Sequence, residues 1–87
     1  MGDSAKDFED TYDSLLRSAY RVAYRLLGER TAAEDVAAEA LARAYSRWSS
    51  VADLAHPWVV KVATNLALDV GRKRTRAANR RFELIEE

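Results

Sequence analysis

The chain has 87 residues, of which 48% are apolar and 32% are charged. These values indicate one small globular domain with a thin core, and they argue against a wholly disordered chain. The lack of cysteine excludes disulfides, thiolate nucleophiles and cysteine-ligated metals, and it suits a reducing cytoplasm, where we expect the protein to act. No apolar run approaches the ~20 residues that cross a bilayer. The acidic start also lacks a signal peptide's apolar stretch, so we expect no membrane association.

Charge is spread unevenly along this formally neutral chain. Up to Tyr45 there are nine acidic and six basic residues, whereas residues 61–81 hold seven basic residues and one acid. A local net charge of +6 attracts polyanions. Overall neutrality therefore does not exclude a nucleic-acid partner.

A first helix is predicted over about residues 8–27, where apolar side chains recur at helical spacing. They are Phe8, Tyr12, Leu15, Leu16, Ala19, Val22, Ala23, Leu26 and Leu27. Gly28 follows as a C-terminal cap.

The second helix is predicted to begin at Thr31, which forms a capping box with Glu34 three positions later. Its expected buried stripe is rich in alanine and comprises Ala33, Val36, Ala37, Ala40, Leu41, Ala44 and Trp48. Glu39 is spaced to pair with Arg43.

Residues 49–56 are interpreted as a loop, and Pro57 suits the first turn of a third helix. An apolar face then continues through Trp58, Val59, Val62, Ala63, Leu66 and Val70, beside a polar stripe of Lys61, Asn65 and Asp69. Gly71 weakens the helix, although the arginines beyond it could continue it, and residues 77–87 are expected to be frayed or a linker. The sequence thus predicts an all-α fold, a single domain over residues 1–87 built as a bundle of three main helices.

The order of these features resembles region two of extracytoplasmic-function (ECF) sigma factors, the subunits that direct bacterial RNA polymerase to promoters. The resemblance covers about residues 8–76. Its motifs are Ala33-Glu34-Asp35 opening the second helix, then Trp58 leading the third, followed by Asn65, Asp69 and a basic cluster at Arg72.

The resemblance implies two surfaces. The second helix would dock on the clamp coiled coil of the polymerase's largest subunit, with Asp35, Glu39 and Arg43 as the candidate residues. The third helix and the loop before it would hold the single-stranded non-template minus-ten element. The candidate DNA-binding residues are Trp58, Lys61, Asn65, Arg72, Lys73, Arg74 and Arg76. Trp58 would stack on a base or brace the strand junction, Asn65 would bond a base edge, and the cations would meet phosphates.

Two positions depart from the family pattern. Ala38 stands where a Gln often occurs, which puts one polar contact with the clamp in doubt. Thr64 stands directly before Asn65, at a position where the family often has an Arg or another residue. Such sigma factors also carry a second, minus-thirty-five-binding domain; we expect none in this sequence, which would then represent a fragment or a protein without that contact.

Each site residue also has an ordinary structural interpretation. Trp58 fits a core position, Asn65 a polar surface, and the basic run a solvated helix end. Two other functions remain open: a protein-interaction module for an anti-sigma factor or another regulator, and a duplex DNA binder. The lone His56, the serines without a base partner and the lack of metal-ligand spacing indicate no active site, no metal and no cofactor.

Overall fold

The computed structural model describes residues 3–85, with side chains from Asp7 onward. Helices make up nearly all of it, and no strand occurs in the described part, so the predicted all-α bundle is confirmed. The elements are α1 (Asp3–Leu27), α2 (Arg30–Ser46), α3 (Trp48–Val51), a 3-10 turn (Ala52–Leu54) and α4 (Ala55–Ile85). The three long helices pack against one another, with α1 contacting both α2 and α4.

A two-residue connection joins α1 to α2. Gly28 has φ of 65°, in the left-handed region that glycine favours, and its N–H donates to the Tyr24 carbonyl at 2.7 Å. The predicted cap at Gly28 is therefore confirmed.

The predicted capping box at Thr31 is wrong. Helix α2 begins at Arg30, so Thr31 already lies in its first turn, and the N-cap is Glu29, whose Oε1 accepts a hydrogen bond from the Ala32 N–H at 3.1 Å. Glu34 instead pairs with the Arg30 guanidinium at 3.4 Å. The Glu29 carboxylate, two residues before Thr31, thus satisfies one of the free N–H groups at the start of the helix.

Small residues dominate the core. Nine of its sixteen buried apolar residues are alanine, which lets the helices approach closely but leaves little apolar area per residue. The largest side chains that are fully buried are Leu15 of α1, Leu41 of α2 and Val59 of α4. All seven members of the stripe predicted for the second helix are buried.

The segment predicted as a loop at residues 49–56 is instead ordered as α3, the 3-10 turn and the start of α4. Its anchor is an aromatic cluster in which the Phe8 ring lies 5.2 Å from Trp48 and 5.1 Å from Tyr45, centroid to centroid. Val51 and Ala55 are also buried. Because these apolar contacts tie the segment to α1, it forms helical turns despite its mixed polarity.

Helix α4 does not end near Gly71. In place of the frayed or linker segment expected from residue 77, the helix runs on to Ile85 with all its side chains exposed from Arg72 onward, and residues 86–87 lie outside the described part. The extended helix gives the molecule its length, 63 Å against 19 and 16 Å in the other directions.

Candidate nucleic-acid and polymerase interface

One face of α4 gathers most of the predicted DNA-binding residues. Trp58, Lys61, Asn65, Arg72 and Arg76 are separated by three, four, seven and four positions, which puts them on a single side of the helix. Trp58 is half-buried against the core, whereas the others are exposed. Trp58 therefore packs partly against the core and is also partly available at the surface. The face as a whole offers an aromatic edge, an amide and three cations.

Asp69 tethers two cations of this cluster. Its carboxylate lies 3.8 Å from the Arg72 guanidinium and 3.3 Å from the Lys73 ammonium. All three side chains are roughly half exposed or more, so the pairs are weak and exchange readily with solvent or another anion. One carboxylate cannot neutralise both cations, so the cluster keeps a net positive charge.

Arg74 does not join that face. Its guanidinium donates to Glu29 Oε1 at 3.1 Å and to the Leu27 carbonyl at 3.5 Å, across the bundle at the α1–α2 junction. Helical periodicity places a residue two positions after Arg72 about 200° around the axis, so its different direction could have been read from the sequence.

Exposed polar side chains form a ridge along α2, on the side away from its buried alanines. Asp35 and Glu39 are four positions apart, and Arg43 donates to Glu39 at 2.9 Å, which confirms the pairing expected from their spacing. Tyr45 lies on a different side of α2, about 200° around the axis from Arg43, and is 58% exposed although its ring contacts Phe8. The ridge is accessible along three turns of the helix.

The two departures from the family pattern have local explanations. Ala38 is exposed and lines a groove between α1 and α2, where it offers a methyl group and no polar atom. The Thr64 hydroxyl donates back to the Val60 carbonyl at 2.7 Å, so its hydrogen-bonding capacity is directed into the helix.

Leu54 was missed by the sequence interpretation. It lies in the 3-10 turn, is 69% exposed, and precedes Trp58 by four positions. An apolar side chain so exposed at the start of α4 is a candidate contact for an unstacked base. Treating residues 49–56 as a loop hid this signal, because no helical register was assigned there.

One polar contact lies outside these two surfaces. His56 Nε2 lies 2.9 Å from Ser14 Oγ on the exposed surface, so the prediction that the serines lack a base partner is wrong for Ser14. Among the described residues, no three His, Cys, Asp or Glu side chains come together as a metal site requires. Within the same part of the chain, no helix is long and apolar enough to cross a membrane.

Comparison with known proteins identifies the family. Residues 11–77 match the family model for Sigma-70 region 2. The chain is 38% identical over 69 residues to the ECF RNA polymerase sigma factor SigW of Bacillus subtilis (strain 168), covering 77% of this chain and 37% of that protein. No solved structure matches it. The chain therefore belongs to the Sigma-70 region 2 family, and within it the chain is similar to an ECF sigma factor.

Proposed function

We propose that this domain acts in transcription initiation, docking on core RNA polymerase and holding the melted minus-ten element of a promoter as single strand. The family membership supports the general role. The observation that carries the DNA side is the shared exposed face of Lys61, Asn65 and Arg72 on α4, beside the half-buried Trp58. The role is one of binding, without catalysis.

Chemistry divides the work on the DNA face. The Asn65 amide both donates and accepts, so it can bond the edge of an unpaired base and supply sequence preference. Trp58 and Leu54 offer apolar surface on which a base can stack or rest. Lys61, Arg72, Lys73 and Arg76 meet phosphates, which position the strand without reading it. For Arg74 we propose a structural role, since its guanidinium is engaged by Glu29.

The polymerase side is proposed for the α2 ridge. Asp35, Glu39 and Arg43 present both signs of charge on a firm helix whose opposite side is buried, so docking need not reorganise the backbone. The largest-subunit clamp coiled coil is the proposed partner. Because isolated phosphate contacts give weak, salt-sensitive affinity, the domain should need the polymerase to bind DNA tightly.

The test of the DNA role is fluorescence anisotropy with a labelled single-stranded minus-ten library, with and without core polymerase. We expect sequence-selective binding only with polymerase. Asn65→Ala should lower the affinity for the preferred sequence about tenfold and flatten the preference, since a good base contact is worth ~1–3 kcal/mol. Lys61→Glu should weaken all sequences alike.

Matched controls lie elsewhere on the surface. Arg21→Glu on α1 makes the same kind of charge reversal at an exposed cation and should leave DNA binding unchanged. Arg43→Glu should weaken polymerase binding, whereas Arg30→Glu, in the similarly spaced pair with Glu34, should not. A domain that never joins the polymerase, or that shows no sequence preference when joined, removes the initiation role.

A regulator such as an anti-sigma factor could use the same α2 ridge, and the two functions separate by charge reversal. Charge reversal of the whole basic cluster should abolish DNA opening but spare a regulator bound at Asp35 and Arg43. Tight binding of duplex DNA by the domain alone would favour the third interpretation, a plain duplex binder.

A further inference from the structure

The second half of α4 carries a line of apolar and small residues, most of which are exposed. Its members are spaced alternately by three and four positions, which keeps them on one side of the helix. They are Leu68, Gly71, Thr75, Ala78, Phe82 and Ile85, here called the tail stripe. Phe82 is 65% and Ile85 80% exposed. This spacing is typical of a helix that packs along a second helix.

The tail stripe begins in a groove. Leu26 near the end of α1 forms one wall, Leu68 and Arg72 lie on α4, and Gly71 lies between them. No heavy atom outside the helix comes within 4 Å of the position that a Gly71 Cβ would take, so the groove is open to a closely approaching backbone. A concave groove that continues along a helix has the right shape to receive a second helix. A flat membrane surface could not enter it to reach Leu26.

The charges around the tail stripe indicate what kind of helix would bind there. Residues 71–85 contain six basic residues and one acid, Glu83. In helical register, Arg72 flanks the tail stripe on one side and Arg81 on the other. Two copies packed through this face would bring their like charges together, whereas acidic flanks on a partner helix would complement them. Phosphates alone would leave Phe82 and Ile85 in water.

We propose that the tail stripe and its groove bind an acidic amphipathic helix of a partner protein. The surface is separate from the α2 ridge. It shares Arg72 with the DNA face, so a bound acidic helix competes with a phosphate for that guanidinium. The contact would therefore link partner binding to release of the DNA strand.

The probe is a labelled synthetic helix of about three heptads, with Leu and Ile along its seam and Glu beside it, titrated with the 87-residue chain. Two further peptides separate the contribution of charge from that of the apolar seam. One replaces each Glu by Lys, and the other has the acidic composition scrambled so that no apolar seam forms. We expect saturable binding of the acidic helix and at least tenfold weaker binding of the other two.

The chain offers a matched pair of variants. Phe82→Ser removes an apolar side chain of the tail stripe, and Leu84→Ser removes one that is 71% exposed but lies off it. Phe82→Ser should weaken the acidic helix about tenfold, as expected when the burial of one large apolar side chain is lost, and Leu84→Ser should not. Both residues are exposed, so circular dichroism and the melting temperature should match the parent.

Three results would overturn the proposal. The first is equal binding of the scrambled peptide, or equal losses from Phe82→Ser and Leu84→Ser. The second is a concentration-dependent dimer in sedimentation that Phe82→Ser disrupts, which would assign the tail stripe to a second copy. The third is binding to anionic phospholipid vesicles that depends on Phe82 while the acidic helix does not bind.

Discussion

At the scale of single residues, Glu29 joins three parts of the fold. Its Oε1 accepts from the Ala32 N–H at the start of α2 and from the Arg74 guanidinium on α4, each at 3.1 Å. Arg74 in turn reaches the last carbonyl of α1, that of Leu27. Half-exposed ion pairs stabilise little on their own, so the cap is the stronger of the two contacts.

Removal of the cap should therefore cost more than removal of the ion pair. We expect Glu29→Ala to lower the free energy of unfolding by about 1 kcal/mol, through the loss of the α2 cap, and Arg74→Ala by less than that. Thr31→Ala, at the position that the sequence pattern indicated as the cap, should change it by no more than ~0.5 kcal/mol. Urea denaturation of the three variants measures the differences, and equal effects at Glu29 and Thr31 would contradict the assignment.

At the scale of helices, the two central glycines occupy opposite situations. Gly28 ends α1 with a positive φ, where a side chain strains the backbone. Gly71 lies inside α4, and the space that a Cβ atom would occupy there is open. At this position glycine only adds entropy to the unfolded chain. One residue type thus terminates one helix and merely weakens another.

The same substitution should consequently act with opposite sign at these two positions. We expect Gly28→Ala to destabilise the domain by about 1–2 kcal/mol and Gly71→Ala to stabilise it by ~0.5–1 kcal/mol. Thermal unfolding followed by circular dichroism compares them directly. A destabilising Gly71→Ala would mean that α4 does not run unbroken through this position.

Helical periodicity predicted the three long helices and the burial of all seven residues in the stripe assigned to the second helix. It succeeded there because the alanine-rich face is the side of that helix that packs against its neighbours. It failed where contacts distant in sequence decide. Phe8 orders α3 across the bundle in this way. The cap error is local instead, because Glu29, two residues before Thr31, accepts from the Ala32 N–H and so begins α2 earlier. Of the candidate site, the resemblance supplied the residues, and helical spacing places five of them on one side of α4. Arg74 was included with the basic cluster, and the structure directs it to Glu29.

At the scale of the whole molecule, a neutral chain is electrically divided. Acids outnumber bases in α1 and α2, while the second half of α4 carries the cations and extends past the bundle. An incoming nucleic acid therefore meets a local field set by α4 and not by the net charge. Such an encounter is sensitive to salt, and the sensitivity counts the phosphates that are actually contacted.

Salt dependence can thus distinguish the cations that we propose to bind phosphates from Arg74, for which we propose a structural role. Four phosphate contacts, from Lys61, Arg72, Lys73 and Arg76, predict a slope of about −2.8 in log affinity against log salt for single-stranded DNA. Affinity would then fall about fifty-fold from about 50 to 200 mM salt. Lys61→Gln should reduce the slope's magnitude by about 0.7, whereas Arg74→Gln should leave it unchanged because Glu29 holds that guanidinium. Anisotropy titrations at four salt concentrations give the slopes. Equal reductions in the two variants would return Arg74 to the DNA face and show that its pair with Glu29 opens when DNA binds.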